Sequence, residues 1–429
     1  MQGRAVYIKT FGCQMNEHDS ERMLGILESK GFIEVDEPKY ADIIIFNTCA
    51  IREKAEQKFM SSLGRVKYLK KKNPELKIII SGCIAQLQSE HLLNKAPYIN
   101  YIIGPDNLHI LANIAENELP QKVFTHENTD MANIELPVVR KAPVKAWVNI
   151  IYGCNNYCAY CIVPYTRGRE RSRPMERVIE EVKALAEQGY KEITLLGQNV
   201  NSYKDKDVDF PALLEEVNKI EGIERIRFVT SHPKDLSQQL IKTMKDCNKV
   251  CEHIHLPLQA GSNKILKLMN RKYTYEEYLE KVKLLRESIP DISITSEIIV
   301  GFPQETDKDF EKTLNALIEI QFDGIFAFKF SMRPGTTAAS LDGHISNDIK
   351  TKRLSTILNI QDEITERKNK SLEGTIQEVL IEGKDEEGLI IGRTKTNKIV
   401  KISSELQCGK VFKVKITKAN RHTLEGNVL

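Results

Sequence analysis

The sequence predicts an α/β fold in three parts: a doubly wound parallel-sheet domain, a partial (β/α)6 barrel and a small antiparallel β-barrel. Three observations support this. Ile-rich runs alternate with helical segments near the N-terminus, six further strand–helix units follow, and short strands separated by turns end the chain. With 429 residues, 41% hydrophobic and 28% charged, the chain is long enough for about three domains with ordinary cores.

Residues 1–130 are predicted to form the doubly wound domain. The strand-like runs are "AVYIKTF", "ADIIIFN" and "LKIIIS", and the helical segments between them are "EHDSERMLGILESKGF" and "IREKAEQKFMSSLGRVKYLKKKN". Continuous apolar strands between helices are typical of a parallel sheet that is covered on both faces.

A polar, proline-containing stretch with no periodic pattern predicts a linker at residues 131–145. The alternation then resumes over residues 146–370 with "AWVNIIYGC", "EITLLGQN", "RIRFVTS", "EHIHLPLQ", "ISITSEIIVGF" and "GIFAFKFSM". Six such units predict a partial barrel whose active site lies at the carboxyl ends of its strands. Residues 371–429 contain short strands separated by turns, which predict the small barrel.

Composition limits the classes of function. No secretory leader and no apolar run of about 20 residues is present, so we expect a cytoplasmic protein without a membrane partner. Thiols stay reduced in that compartment, so the nine cysteines favour metal ligands or core residues over disulfides. No P-loop and no G-x-G-x-x-G fingerprint occurs, which disfavours nucleotide binding by those devices.

Two sets of three cysteines are the candidate metal ligands. Cys13, Cys49 and Cys83 each follow one of the N-terminal strands, and the carboxyl ends of parallel strands share one edge. Cys154, Cys158 and Cys161 form C-x3-C-x2-C after the first barrel strand. A structural zinc site or a [4Fe–4S] cluster normally takes four ligands, so three thiolates leave one iron of a cluster open. A zinc site completed by a histidine, and plain buried thiols, are the alternatives.

The motif "GCNNYCAYC" resembles the radical S-adenosylmethionine superfamily. The resemblance implies a [4Fe–4S] cluster on Cys154, Cys158 and Cys161 whose open iron chelates the methionine part of S-adenosylmethionine. Residues expected near that cofactor are Tyr160 beside its adenine, Gly197, Gln198 and Asn199 where the family often has Gly-Gly-Glu, and Gln259 and Glu297 at strand ends. For the last two, a buried hydrogen-bonding role in the barrel is the alternative.

The two cysteine sets and the terminal β-module together resemble the methylthiotransferases, and the last segment resembles a TRAM domain. This implies a second [4Fe–4S] cluster on Cys13, Cys49 and Cys83, which carries the inserted sulfur, and two S-adenosylmethionine molecules per turnover. The words "TFGCQMNEHDSE", "NTCAIREKAEQK", "LLGQNVNSY" and "IIVGFPQET" resemble the members that modify N6-(dimethylallyl)adenosine beside the tRNA anticodon. "AIREKA" favours this group over members acting on threonylcarbamoyladenosine or on a ribosomal protein.

The expected partners are the tRNA anticodon stem-loop and a reductant. Phosphate contacts are predicted for Arg167, Arg169, Arg171 and Arg173, with salt bridges at the start of a helix as the alternative, and a substrate contact is predicted for Arg333. A rival from another class is an iron–sulfur or zinc protein that binds RNA without chemistry.

Overall fold

The computed structural model describes residues 4–50 and 53–429, so Ile51 and Arg52 of the "AIREKA" motif lie outside the described residues. Contacts divide the chain into two compact units. The first contains residues 1–141, 152–155 and 161–171, and the second contains residues 142–151, 156–160 and 172–429. The predicted domain boundaries at residues 130, 145 and 370 stay predictions.

The first unit is built on a six-stranded sheet in the order β2-β1-β3-β4-β5-β6, and every pair of neighbours is parallel. Its strands are β1 (Arg4–Thr10), β2 (Phe32–Glu34), β3 (Ile43–Thr48), β4 (Lys77–Gly82), β5 (Tyr101–Ile103) and β6 (Val123–Phe124). Its helices are α1 (Gln14–Glu28), α2 (Glu53–Lys72), α3 (Cys83–Lys95), α4 (Leu111–Glu116) and α5 (Val163–Arg167). The predicted doubly wound sheet is confirmed.

Both faces of this sheet are covered, as the unbroken Ile runs predict. In β3, Ile44 and Phe46 join one apolar cluster, with Phe59 of α2, while Ile43 and Ile45 join another, with Leu24 of α1. Successive side chains of a strand point to opposite faces, so a strand buried on both sides needs apolar residues throughout.

The second unit contains six parallel barrel strands in two sheets, β13-β10-β7 and β14-β15-β16, linked by a bridge between Ile226 and Val250. The barrel strands are β7 (Lys145–Asn149), β10 (Glu192–Leu196), β13 (Arg225–Phe228), β14 (His253–His255), β15 (Ser293–Val300) and β16 (Gly324–Lys329). The shorter strands are β8 (Ile151–Tyr152), β9 (Arg171–Ser172), β11 (Lys204–Asp205) and β12 (Val208–Asp209). This confirms the predicted partial barrel.

Helices follow the barrel strands and cover them. They are α6 (Met175–Glu187), α7 (Phe210–Asn218), α8 (Gln238–Asp246), α9 (Asn263–Leu268), α10 (Tyr275–Ser288), α11 (Asp307–Ile320) and α12 (Asn347–Lys370). Alternate residues of β15, such as Ile294 and Ile298, share the main core with Leu317 of α11. Thr295 and Glu297 therefore lie on the opposite, interior face, where they are only partly buried. Within the described ranges, no helix is long and apolar enough to cross a membrane.

The C-terminal strands form a closed barrel in the order β17-β18-β19-β21-β20, as predicted. They are β17 (Ile376–Lys384), β18 (Ile390–Thr394), β19 (Ile399–Ile402), β20 (Val411–Ala419) and β21 (Leu424–Val428). Four strand pairs are antiparallel, and the pair β19–β21 that closes the barrel is parallel.

Two buried arginines of β13 hold the small barrel against the large one. Arg225 donates hydrogen bonds to the carbonyls of Arg393 and Glu378. Arg227 donates to the Thr394 carbonyl at 2.7 Å and, through Nε, to a Glu192 carboxylate oxygen at 2.9 Å. Carbonyls of strands β17 and β18 thus receive donors from the large barrel's sheet, which fixes the contact between the two within this unit.

We predict that Arg227→Met destabilises the chain by about 3–5 kcal/mol, because it leaves the buried Glu192 carboxylate without its partner. Arg421→Met is the matched control: Arg421 forms an exposed pair with Asp362 at 2.8 Å, and its loss should cost under about 1 kcal/mol. Urea unfolding measures both. Equal costs for the two variants would contradict this account of the contact.

Candidate functional site

Three thiols meet at the carboxyl edge of the first unit's sheet. The neighbouring strands β1, β3 and β4 end side by side, with Thr10 opposite Asn47 and Thr48 opposite Gly82. Cys13 precedes α1, Cys49 directly follows β3, and Cys83 opens α3. The Cys13 and Cys49 thiols share a hydrogen bond, and Cys83 is close enough to Cys13 for their charges to interact. The topology therefore unites residues that are far apart in sequence.

Glycine and asparagine make this close approach possible. Gly12 has φ +129°, and a Cβ there would lie 2.3 Å from the Cys49 Cβ, so a larger residue would push the two loops apart. The Asn16 side-chain amide donates to the Thr48 carbonyl at 2.9 Å and ties the start of α1 to the end of β3. Both features fix the thiol-bearing loops relative to each other.

A buried guanidinium lies against the same thiols. Arg167 at the end of α5 donates to a carboxylate oxygen of Asp19 at 2.7 Å and to the Asn16 side-chain oxygen at 3.2 Å. It also lies close enough to Cys83 and Cys13 for its charge to lower the pKa of both thiols. The cation would stabilise thiolates at this edge.

The pKa values of Cys13 and Cys83 shift in opposite directions. The hydrogen bond from Cys49, opposed by burial and helped by the charge of Arg167, lowers the pKa of Cys13 to about 6. Burial raises the pKa of Cys83, although Arg167 pulls against it. Thiolate is the metal-binding form of cysteine, so Cys13 is prepared for a ligand role at neutral pH.

The donor set fits an iron–sulfur cluster in its chemistry, because three soft sulfur ligands and a compensating cation occupy one edge. Within the part of the chain whose side chains the structure describes, no three His, Cys, Asp or Glu side chains are arranged as ligands of a single metal ion. The assignment of Cys13, Cys49 and Cys83 to a cluster stays a prediction.

The second cysteine set lies on a loop that both units share. Cys154 and Cys161 group with the first unit, and Cys158 groups with the second. In the first unit, the Cys154 amide donates to the Gly168 carbonyl at 3.1 Å. In the second, the Ala159 amide donates to the Met269 carbonyl at 2.9 Å. Backbone hydrogen bonds thus hold each part of the loop.

Buried polar atoms without hydrogen-bond partners collect at the carboxyl ends of the barrel strands. In the described part of the chain, such atoms occur after four successive strands, on the side chains of Asn149, Asn199, Ser231, His232 and Gln259. A buried polar atom without a partner costs free energy, so this row is a candidate site for a polar ligand that would complete the hydrogen bonds. The donors and acceptors suit the amino, carboxylate and hydroxyl groups of S-adenosylmethionine.

Two of the three residues of the Gly197–Asn199 motif, Gly197 and Asn199, are tightly packed at this end of the barrel. A Cβ at Gly197 would lie 2.3 Å from a methyl carbon of Ile151, so only glycine fits beside β8. Asn199 donates to a carboxylate oxygen of Asp235 at 2.7 Å, which leaves its own oxygen free of partners in the structure. Gln198 is half-buried beside them.

Gln259 and Glu297 interact on the barrel's interior face. Gln259 is buried and has φ +72°, an uncommon conformation for a residue with a side chain, and its amide donates to a Glu297 oxygen at 3.3 Å. The other Glu297 oxygen lies 3.7 Å from Nε2 of His255. Burial raises the pKa of Glu297, but the hydrogen bond and charge of His255 outweigh it and hold that pKa below the ordinary value.

Sequence reasoning missed Arg271. Its guanidinium is buried and donates at 3.3 Å to both the Cys158 sulfur and the Tyr160 hydroxyl. It also missed Asn149, Ser231 and His232, which belong to the row of polar atoms. Ser231 ends a predicted strand and His232 follows it, a signal that was available, whereas Asn149 lies within the predicted run "AWVNIIYGC" and the sequence around Arg271 resembles an ordinary charged helix end.

The arginines after the cysteine loop differ in their environments. Arg167 and Arg173 are buried, and Arg173 binds a Glu181 oxygen at 2.6 Å. Arg171 binds both oxygens of Asp106 at 2.7 and 3.1 Å. Salt bridges, the alternative named above, describe these three better than phosphate contacts do. Arg169 is exposed and Arg333 is half-buried, and their RNA contacts stay predictions.

Three family models match the chain. The Radical SAM superfamily model matches residues 148–317, Uncharacterized protein family UPF0004 matches residues 5–104, and the TRAM domain matches residues 370–429.

Similar proteins share nearly the full length. A tRNA-2-methylthio-N6-dimethylallyladenosine synthase of Thermodesulfovibrio yellowstonii is 73% identical over 100% of both chains. Proteins of the same name from Clostridium botulinum and a Thermoanaerobacter species are each 48% identical, over 98% and 100% of this chain and 96% and 94% of theirs.

Solved structures support the fold. The radical S-adenosylmethionine methyltransferase TsrM of Kitasatospora setae, with tryptophan and a cofactor analogue bound, matches with a TM-score of 0.61 at 13% identity, over 87% of this chain and 78% of that one. The cobalamin-dependent S-adenosylmethionine radical enzyme OxsB matches with a TM-score of 0.54 at 13% identity, over 84% and 56%.

We predict that iodoacetamide modifies Cys13 of the iron-free protein rapidly at pH 7, because a pKa near 6 leaves its thiol mostly ionised. In Arg167→Gln the loss of the cation raises the pKa of Cys13, so the labelling rate of Cys13 at pH 7 falls severalfold. Above pH 9 the Cys13 thiol is ionised in both the unaltered chain and the variant, so their labelling rates converge. Peptide mass spectrometry measures the labelling. The exposed Cys408 is the internal control, and an unchanged Cys13 rate would refute the effect of Arg167.

Proposed function

The chain belongs to the family of tRNA-2-methylthio-N6-dimethylallyladenosine synthases, and we propose how its residues divide the work of that reaction. It is a radical S-adenosylmethionine methylthiotransferase that replaces the hydrogen at C2 of N6-(dimethylallyl)adenosine in tRNA with a methylthio group. The observation that carries this conclusion is the 73% identity to a synthase of that name over the whole of both chains.

A [4Fe–4S] cluster and S-adenosylmethionine belong to the family. We assign the radical-generating cluster to Cys154, Cys158 and Cys161. A second cluster on Cys13, Cys49 and Cys83, and two S-adenosylmethionine molecules per turnover, complete the proposal. When bound, these groups would supply the radical and the methylated sulfur that an unactivated C–H bond requires, since protein acids and bases cannot replace its hydrogen.

The chain's own residues would bind and orient these groups. Asn16 holds the thiol-bearing loops of the first unit together, and the Arg167 cation would balance the negative charge of their thiolates. The unpartnered amide oxygens of Asn199 and Gln259 would accept hydrogen bonds from the cofactor's amino group. Their hydrogen bonds fix orientation, and a well-oriented reactant is worth several kcal/mol of the barrier.

The substrate we propose is the tRNA anticodon stem-loop. The modified base is stacked next to the anticodon, so it must leave the stack to reach the barrel's interior face, at a cost of a few kcal/mol. Protein contacts to the loop bases and phosphates offset that cost. We propose that Arg169, Arg333 and the TRAM barrel make those contacts. The reaction also needs an external reductant, and we propose that it occurs in the cytoplasm.

Cells that lack the chain provide the direct test of the substrate. Mass spectrometry of their tRNA nucleosides should show loss of 2-methylthio-N6-(dimethylallyl)adenosine and accumulation of its unthiolated precursor. Loss of the threonylcarbamoyladenosine derivative, or of a modified aspartate in a ribosomal protein, would instead assign the chain to a different methylthiotransferase.

Iron analysis separates the enzyme from a protein that only binds RNA. Anaerobic reconstitution should load about eight iron atoms per chain, four for each [4Fe–4S] cluster, and replacement of either cysteine set with alanine should remove about half of them. The variant that keeps only Cys154, Cys158 and Cys161 should still release 5′-deoxyadenosine. Bound zinc, or no 5′-deoxyadenosine from the unaltered chain, would favour the binding protein.

We further predict that Gln259→Met weakens S-adenosylmethionine binding by about tenfold, the equivalent of about 1.4 kcal/mol for one lost hydrogen bond. Gln361→Met is the matched control, because Gln361 is also buried with an unpartnered oxygen in the described structure but lies on α12. Equilibrium dialysis with the reconstituted protein measures both constants, and equal weakening would remove Gln259 from the site.

A further inference from the structure

Residues 269–271 contact the cysteine loop at three consecutive points. The Met269 carbonyl accepts from the Ala159 amide at 2.9 Å, the Asn270 side-chain amide donates to the Tyr157 carbonyl at 2.8 Å, and Arg271 donates to Cys158. We call residues 269–271 the loop clamp. It acts on the part of the loop that contains Cys158.

The backbone of the clamp is unusual. Asn270 and Lys272, the residues on either side of Arg271, have φ of +59° and +63°. Tyr157 of the cysteine loop has φ +48°. Side chains disfavour this conformation, and several such residues persist only where the surrounding structure holds them, as at functional sites. The conformation of the clamp thus supports a specific role in presenting the Arg271 side chain.

Hydrogen bonds outside the cysteine loop also hold the Arg271 guanidinium. Its Nη2 donates to the Pro257 carbonyl at 3.0 Å, and its Nε donates to the Tyr273 hydroxyl at 3.0 Å. The Tyr273 hydroxyl in turn donates to the Leu258 carbonyl at 2.9 Å. These contacts leave Nη1 to face the Cys158 sulfur and the Tyr160 hydroxyl, both at 3.3 Å.

The charge of Arg271 has no carboxylate to balance it directly. Among the side chains that the structure describes, Arg271 forms no ion pair within 4.0 Å, although Glu297 lies near enough for its pKa to be lowered by Arg271. Arg271 is 4% exposed, and a buried cation is costly unless an anion lies against it. The one sulfur it contacts, Cys158, becomes that anion when it binds iron as a thiolate.

We propose that Arg271 is a positioning residue for the radical-generating cluster, which holds Cys158 in place and makes the cluster easier to reduce through a charged hydrogen bond to its sulfur. This inference rests on the proposed assignment of Cys154, Cys158 and Cys161 as cluster ligands. A cation beside a ligand sulfur stabilises the more negative, reduced cluster, and hydrogen bonds to sulfur are a known control of cluster potential. The external reductant would then need less driving force.

The experiment uses the full-length chain in which Cys13, Cys49 and Cys83 are alanine, so that one cluster contributes to the signal. Redox titration monitored by electron paramagnetic resonance compares this chain with its Arg271→Gln and Arg271→Lys forms. At the potential where the parent is half reduced, we expect the ratio of reduced to oxidised cluster to fall about tenfold in the glutamine form, equivalent to 59 mV for one electron. The lysine form should lie between the two, because it keeps the charge but not the forked geometry.

Arg353→Lys is the matched control. Arg353 is also buried in the second unit, but it binds Glu305 at 2.6 Å and Asp307 at 2.8 Å. We expect this change to lower the unfolding temperature without moving the cluster potential.

Iron content and unfolding of the iron-free chain complete the test. Selective iron loss in both Arg271 forms, with unfolding unchanged, also supports the proposal, because it shows that Arg271 holds Cys158 for the cluster. An unchanged potential with full iron content refutes it, as does equal destabilisation of the iron-free and iron-loaded chains, which indicates a merely structural role. A parent chain that binds no iron would instead overturn the cluster assignment on which the inference rests.

Discussion

Parallel strand pairing is the constraint on which both candidate sites depend. Neighbouring strands that run in the same direction end at one edge, so the residues that follow them come together whatever their separation in sequence. In the first unit this brings Cys13, Cys49 and Cys83 to a common edge. In the second unit it collects the polar side chains of Asn149, Asn199, Ser231, His232 and Gln259. The chemistry is placed by the backbone hydrogen bonds that pair these strands.

A buried guanidinium accompanies a cysteine thiol in each unit. Arg167 lies against Cys83 and shares its charge with Asp19, whereas Arg271 lies against Cys158 and is held mainly by carbonyl and hydroxyl oxygens. The difference matters, because a cation already balanced by a carboxylate offers less charge to a thiolate than one that is not. The two thiol sites therefore present different electrostatic environments to the groups that they would bind.

Rigidity is distributed to suit these sites. The small barrel is fixed to the strand β13 by the buried Arg225 and Arg227, so its position within the second unit is defined by hydrogen bonds to named carbonyls. Non-glycine residues with positive φ occur near the proposed cofactor residues, at Tyr157, Gln259 and Asn270, and also at turns elsewhere, such as Asn397 of the small barrel. Structure that holds residues in unfavourable conformations usually does so where their orientation is needed.

Sequence alone determined the architecture and the two cysteine sets, because unbroken Ile runs, strand–helix alternation and cysteine spacing are local patterns that dictate which elements form and in which order. It overlooked the two- and three-residue strands β2, β5 and β6, which are too short to show a period. Tertiary structure decided the roles of single charged residues. Arg167, Arg171 and Arg173 look alike in the sequence, yet burial against Asp19, Asp106 and Glu181 gives each a partner within the protein. Arg271 owes its contact with Cys158 to a fold that joins positions more than a hundred residues apart, and no local pattern records such a contact.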